Sequence, residues 1–294
     1  MRTVETFAVI GGDLRSTYLA GALAEEGSRV ISSGFDSAEL PACVTACTNP
    51  TQAIGLADCV ILPLPVSTDG IHVNAPFSRI PIPLETVVQA LREDQLLLGG
   101  QISEALRRDL TLRGLTAGDY FSREELAVLN AVPTAEGAIQ LAMEELPITL
   151  SGARCLITGY GRIGRVLARM LHALDADVTV AARRCSDRAW AEVQGSKVME
   201  LSRLPGNERY DVIFNTVPYK IFHRELLEKL DSGTLIIDLA ARPGGVDFNA
   251  AAQLRLKTIW ALSLPGRVAP KSAGTIIKQT ILNMIKEESE WNSK

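Results

Sequence analysis

Histidine is scarce in this chain. Only three occur among 294 residues, and they are scattered: His72 in a predicted loop, His172 on the helix after a glycine loop, His223 beyond Pro218. None is placed by sequence as the general base of a His–carboxylate pair. Cysteine is little commoner, at five: Cys43, Cys47, Cys59, Cys155 and Cys185. An odd count without a CxxC spacing argues against a disulfide framework and a zinc site, so reduced thiols and no bound metal are expected. Cys43 and Cys47 read as small buried hydrophobes. No apolar run approaches the ~20 residues that cross a bilayer. Arg2 and Glu5 lead straight into a short strand without the apolar stretch of a signal peptide, so a cytoplasmic protein with no membrane role is expected. A basic excess is missing too: the net charge is −4, which offers no nucleic-acid surface. There is no low-complexity segment, and no repeat beyond a loose similarity of the two halves. What remains, 47% hydrophobic and 22% charged residues, is ordinary for a soluble protein long enough for two domains.

The most informative stretch that is present runs from Arg154-Cys155-Leu156-Ile157-Thr158 through Gly159-Tyr160-Gly161-Arg162-Ile163-Gly164 into Arg165-Val166-Leu167-Ala168. An apolar strand, a Gly-x-Gly-x-x-Gly turn and an amphipathic helix make a dinucleotide site. Gly159 permits the tight turn, Gly161 lets the backbone approach a pyrophosphate, and Gly164 lets the helix pack on the strand, while the helix N-terminus offers N–H groups to the anion. A second strand, residues 177–182, closes the unit. The acid that NAD sites usually place at its end is absent; Arg183, Arg184 and Ser186 stand there instead. Guanidinium forks match phosphate oxygens, which selects NADP over NAD.

The fold class expected is α/β: two doubly wound parallel-sheet domains with bridging helices. Residues 1–148 plus 272–294 are expected to form an N-terminal flavodoxin-like substrate domain, and 149–271 a Rossmann dinucleotide-binding domain. In the first, strands are predicted at 6–10, 29–33, 58–63, 95–99 and 111–115, five elements in all, with a helix at 17–26. Its Gly11-Gly12-Asp13 turn reads as a degenerate nucleotide turn without a third glycine. Pro133 and Thr134 are predicted to open a bridging helix that Pro147 ends. Strands at 210–216, 234–240 and 260–262 complete the second domain, and a helix at 272–288 carries Ile276, Ile277, Ile281 and Ile285 back onto the first.

Ligands of open parallel sheets collect beyond the carboxyl ends of the strands. That rule selects Thr216, Val217 and Pro218 to line ribose and nicotinamide, with Asp238 ending the next strand. Residues 264–274 read as a glycine- and proline-rich loop, whose Arg267 and Lys271 are candidates for substrate carboxylates, helped by Ser272. Ser67, Thr68 and Thr134 are expected on an opposite wall of an interdomain cleft. Glu136 and Lys271 are the catalytic candidates, Glu136 either orienting the bridging helix or taking a proton.

The segments Leu264-Pro265-Gly266-Arg267-Val268-Ala269-Pro270-Lys271-Ser272-Ala273-Gly274 and Val132-Pro133-Thr134-Ala135-Glu136-Gly137 are the discriminating ones. With residues 159–164 and the opening Ala8-Val9-Ile10-Gly11-Gly12-Asp13, they resemble the A subunits of dipicolinate synthase over nearly the whole chain. The resemblance implies oxidation of dihydrodipicolinate, or its hydrated precursor, to dipicolinate. It also implies a partner, the flavoprotein-like B subunit, in the mother-cell cytoplasm during sporulation; a homo-oligomer is expected as well. Two alternatives stay open. One is an NADP-dependent 2-hydroxy or 2-amino acid dehydrogenase, although Trp260 and Ser263 stand where such enzymes normally carry a histidine. The other is a nucleotide-binding, non-catalytic member of a two-subunit complex.

Overall fold

Apolar residues alternate along the first strand in a way that serves both faces of a sheet. In the computed structural model, which describes residues 4–205 and 209–291, Phe7 and Val9 are buried in one core and Ala8 and Ile10 in another. A strand covered on both sides belongs in a doubly wound parallel sheet. The chain divides into two compact units, Met1–Leu129 with Ala269–Lys294 and Asn130–Val268.

The elements of the first unit are β1 (Thr6–Ile10), α1 (Leu14–Glu25), β2 (Arg29–Ser33), β3 (Thr45–Ala46), α2 (Pro50–Gly55), β4 (Cys59–Ile61), α3 (Leu84–Ala90), β5 (Leu96–Gly99), α4 (Glu104–Leu112) and β6 (Ala117–Asp119). Its sheet has the order β3-β2-β1-β4-β5-β6, and every pairing is parallel. The order reverses between β1 and β4, whose carboxyl ends flank the switch point. This sheet has six strands, not the five expected, and two of them fall outside the expected ranges: β6 (Ala117–Asp119) and β3, which has two exposed residues and no apolar alternation to announce it. Residues 111–115, expected as a strand, are instead the end of α4 and a turn at Gly114, whose φ of 70° suits glycine. The reason lies upstream, where the Ser103 side chain accepts from Leu106 N–H and starts the helix. Asp13 likewise caps α1 through Arg15 N–H, which starts that helix three residues before the expected position.

The next helix, α5 (Glu124–Glu145), contains Pro133 in its interior, so the expectation that Pro133 opens a helix is corrected. Proline removes the hydrogen bond to the carbonyl four residues earlier, that of Leu129, and the division between units falls at Leu129 and Asn130. By length and composition α5 could cross a bilayer, which revises the expectation that no segment reaches that length. Its Ala135, Ala138, Ile139 and Ala142 are nonetheless buried in the core of the second unit, as in the core helix of a globular domain.

That unit continues with β7 (Arg154–Thr158), α6 (Arg162–Ala173), β8 (Asp177–Ala182), α7 (Cys185–Val193), β9 (Lys197–Glu200), β10 (Val212–Asn215), α8 (Arg224–Leu227), β11 (Leu235–Asp238), α9 (Phe248–Gln253), β12 (Lys257–Trp260) and α10 (Leu264–Val268). The six-stranded sheet has the order β12-β11-β10-β7-β8-β9, again all parallel, and its order reverses between β7 and β10. The last strand lies slightly before the predicted 260–262. The last helix, α11 (Pro270–Trp291), belongs to the first unit. There Ile277 and Ile281 are buried with Leu19, Leu23 and Tyr120, and Gly274 lets the helix approach α1 so closely that a Cβ would sit 2.6 Å from Arg15 O.

All five cysteines are free thiols. Cys59 and Cys155 are buried, and burial pushes the Cys155 thiol up to about 12. Cys43 is exposed and Cys47 half-buried, contrary to expectation, because both flank the short exposed β3 and not a core strand. Tyr120, fully buried, donates to Leu62 O at 2.9 Å. Tyr120→Phe is expected to cost about 1–2 kcal/mol by leaving that carbonyl unpaired, measured by denaturant unfolding; an unchanged midpoint would assign the bond no net stability.

Candidate nucleotide-binding site

The turn after β7 has the geometry that three glycines at this spacing are needed for. Gly159 has a φ of 91°, and a Cβ there would sit 2.5 Å from Thr216 Oγ1. A Cβ on Gly164 would overlap the Gly159 carbonyl oxygen and lie 3.2 Å from its carbon. At Gly161 nothing lies within 4 Å of a Cβ, so open space faces the backbone where a pyrophosphate would approach. Gly161 is the N-cap of α6 and gives no side-chain cap, which leaves the first N–H groups of a 12-residue helix to an anion. These features fit a dinucleotide. Tyr160 contributes backbone only: its ring is buried in the core, and its hydroxyl lies 2.6 Å from Gln194 Oε1. Ile163 packs against the same core, and Arg162 is exposed at the start of α6.

Across the switch point, Thr216 Oγ1 donates to Thr158 O at 2.8 Å, fixing the loop after β10 beside the glycine turn. Thr216 and Val217 are half-buried and Pro218 exposed. Beneath them lies a buried polar network that motif reading misses. Asn215 Oδ1 accepts from Thr158 Oγ1 at 2.6 Å, and its Nδ2 donates to Asp238 Oδ1 at 2.7 Å and to Val217 O at 3.1 Å. Asp238 also accepts from Ala240 N–H and Gly245 N–H. Its carboxylate is fully buried and bonded throughout to protein, so Asp238 supports the loops from below. The available signal was a polar residue at the end of each of three adjacent apolar strands.

At the end of β8 the chain turns into α7 with Arg184 as N-cap, and Arg183, Arg184 and Ser186 are all exposed. Arg267 is exposed in α10 of the second unit, whereas Lys271 and Ser272 are exposed in the first turn of α11 in the first unit. Residues 264–274 are thus two helix segments and not the predicted loop. Thr134 Oγ1 donates to Asn130 O within α5, and Glu136 is exposed on the same helix.

In the first unit, Ser67 and Thr68 lie in the loop after β4. Ser67 Oγ donates to Asp69 Oδ1 and accepts from Gly70 N–H. His72 Nδ1 lies 2.8 Å from Asp69 Oδ2, a His–carboxylate contact that the sequence did not single out. The loop folds the two together, the Asp69 side chain accepting from the N–H groups of both Ile71 and His72. The His72 backbone N–H, then its ring, then Ile71 N–H hold the Asp69 carboxyl well below the usual range. An Asp-Gly turn with a histidine two residues on was the signal in the sequence. The first turn of α1 meets the same loop: Arg15 forks onto Asp13 and donates to Leu64 O at 2.5 Å. Among the described residues no group of three His, Cys, Asp or Glu is placed to hold a metal.

Comparison with known proteins agrees with this division. Residues 131–259 match the family described as D-isomer specific 2-hydroxyacid dehydrogenase, NAD binding domain, and residues 6–121 match the N-terminal domain family of the dipicolinate synthase A subunit. Sheet order, glycine turn and family match define a dehydrogenase-type oxidoreductase with an NAD(P)-binding Rossmann domain. The dipicolinate synthase A subunit of Bacillus subtilis (strain 168) is 32% identical over 300 residues, covering 98% of this chain and 98% of that protein. The crystal structure of the dipicolinate synthase A subunit from Bacillus halodurans shares 29% identity at a TM-score of 0.87, covering 95% of this chain and 97% of that one. The crystal structure of the Bacillus subtilis protein gives the same TM-score and identity over 99% of both. A transhydrogenase from Sinorhizobium meliloti, 16% identical at a TM-score of 0.71 and covering 96% of this chain and 94% of that one, shares the fold. The chain belongs to the family of dipicolinate synthase A subunits.

Proposed function

We propose that this chain oxidises dihydrodipicolinate, or its hydrated precursor, to dipicolinate with NADP, together with a flavoprotein-like B subunit, in the mother-cell cytoplasm during sporulation. The observation that carries the coenzyme choice is the end of β8, where Arg183 and Arg184 stand exposed in place of an acid. NADP, when bound, supplies the hydride acceptor. The ring must lose a hydride and a proton, and the hydrated precursor a water as well, while its two carboxylates are held. Arg267, Lys271 and Ser272 are the cationic and hydroxyl donors we assign to carboxylates, with Ser67, Thr68 and Thr134 as further lining.

For the proton we favour His72 over the exposed Glu136. Asp69 orients the ring through Nδ1, and in the neutral imidazole that donates from Nδ1 the other nitrogen, Nε2, is the acceptor, the arrangement of an oriented base. His72→Gln is expected to lower kcat about 100-fold while leaving the affinity for NADP unchanged. A kcat equal to wild type would return the role to Glu136, for which Glu136→Gln is the matching variant.

The reading as a whole is tested by following NADPH formation from freshly generated dihydrodipicolinate, with the chain alone and with its B subunit. Turnover dependent on this chain and faster with NADP than NAD is expected. Nucleotide binding without turnover in either preparation would favour a non-catalytic role in the complex.

A further inference from the structure

Three arginines gather where β8 runs into α7, and the third escapes motif reading because it lies inside the helix. Arg188 reaches back one turn: its Nη1 donates to Ala182 O at 2.9 Å and to Arg183 O at 2.9 Å, and its Nη2 lies 3.2 Å from Cys185 Sγ. Its guanidinium is thereby drawn to the carboxyl end of β8, the position from which Rossmann domains read the adenosine ribose. Its partners are carbonyls and a sulfur, none of which cancels its charge.

Arg183, Arg184 and Arg188 have no ion pair among the described residues. The nearby carboxylate of Asp187 faces Arg165, at 3.5 Å. Three uncompensated cations within six residues of a chain with net charge −4 repel one another, and an anion bound among them relieves that repulsion. The α7 N-terminus, without a side-chain cap, adds donors of the same sign.

Resting on the NADP reading above, we infer that Arg188 is the specificity-determining residue for a 2′-phosphorylated adenosine. It splints the turn that carries Arg183 and Arg184, and it supplies the charge an unphosphorylated ribose does not need. Arg188→Lys would keep the charge but lose the second nitrogen, which reaches Cys185 Sγ, and the planar fork that matches phosphate oxygens.

The test is direct titration of the full chain with NADPH and with NADH, for wild type, Arg188→Gln and Arg188→Lys, each with its thermal midpoint. Wild type is expected to bind NADPH more tightly. Arg188→Gln should weaken NADPH about 10- to 100-fold and leave NADH within about threefold, and Arg188→Lys should fall between. Equal affinity of wild type for the two nucleotides would overturn the NADP reading and this inference with it. A wild-type preference that survives unchanged in both variants would overturn the inference alone. Parallel loss of both nucleotides would also overturn it, by reducing Arg188 to a structural prop.

Discussion

Gly161→Ala and Gly164→Ala are expected to fail at nucleotide binding in opposite ways. At Gly161 the added methyl meets nothing of the protein, and the residue's extended conformation, φ −83° and ψ −156°, is open to alanine. The thermal midpoint should therefore stay within a degree or two of wild type, while the methyl occupies the space a pyrophosphate needs. Affinity for NADPH should fall about 100-fold, the size of effect that a displacement near 1 Å produces in a positioned site. At Gly164 the methyl collides with the Gly159 backbone, which cannot swing aside as a side chain can. Helix α6 must lift from β7, at a stability cost of about 1–3 kcal/mol, and binding is lost with it. Calorimetric titration and thermal unfolding of both variants separate the cases. Undiminished NADPH affinity in Gly161→Ala would remove the glycine turn from the coenzyme site.

The second large effect is expected at Asp238, which ties the loops after β10 and β11 together. Asp238→Ala strips the acceptor from Asn215 Nδ2, Ala240 N–H and Gly245 N–H at once, at a fully buried position. Each stranded donor costs about 1–3 kcal/mol, so a total loss of about 3–5 kcal/mol and a midpoint lowered by about 10 °C are expected. Asp238→Asn should fall between, because one amide oxygen can still accept while the amide nitrogen opposes a donor. Gly245 shows how tight the arrangement is: a Cβ there would overlap Asn215 Nδ2 and lie 2.9 Å from Val217 O. A midpoint within two degrees of wild type for Asp238→Ala would show that the network does not hold the loops.

Both predictions start from residues visible in the sequence, but only the first was legible there. A glycine turn is local: the three positions lie within six residues, and their constraints follow from the turn they make. The apolar strands were legible for the same reason, since Cys155, Leu156 and Ile157 alternate between two cores and a strand buried on both faces must be apolar throughout. Elements whose stability comes from neighbours were not. β3 has two exposed residues and is a strand only because Ile31 and Ser32 offer it an edge. Pro133 sits in mid-helix in α5, where local propensity alone would place it at a start.

Residues 159–164, the missing acid after β8 and the alternation of the parallel strands were determined by the sequence alone, because turn geometry, ribose recognition and two-sided burial all act over a few neighbouring residues. The union of Thr158, Asn215 and Asp238 into one buried network was decided only by the tertiary structure, as were the placement of Arg267 and Lys271 in different units and the hold of Arg188 on the end of β8. Hydrogen bonds between residues 57 and 23 positions apart exist only once strands distant in the chain lie side by side, and the backwards reach of a helical arginine depends on where its helix begins.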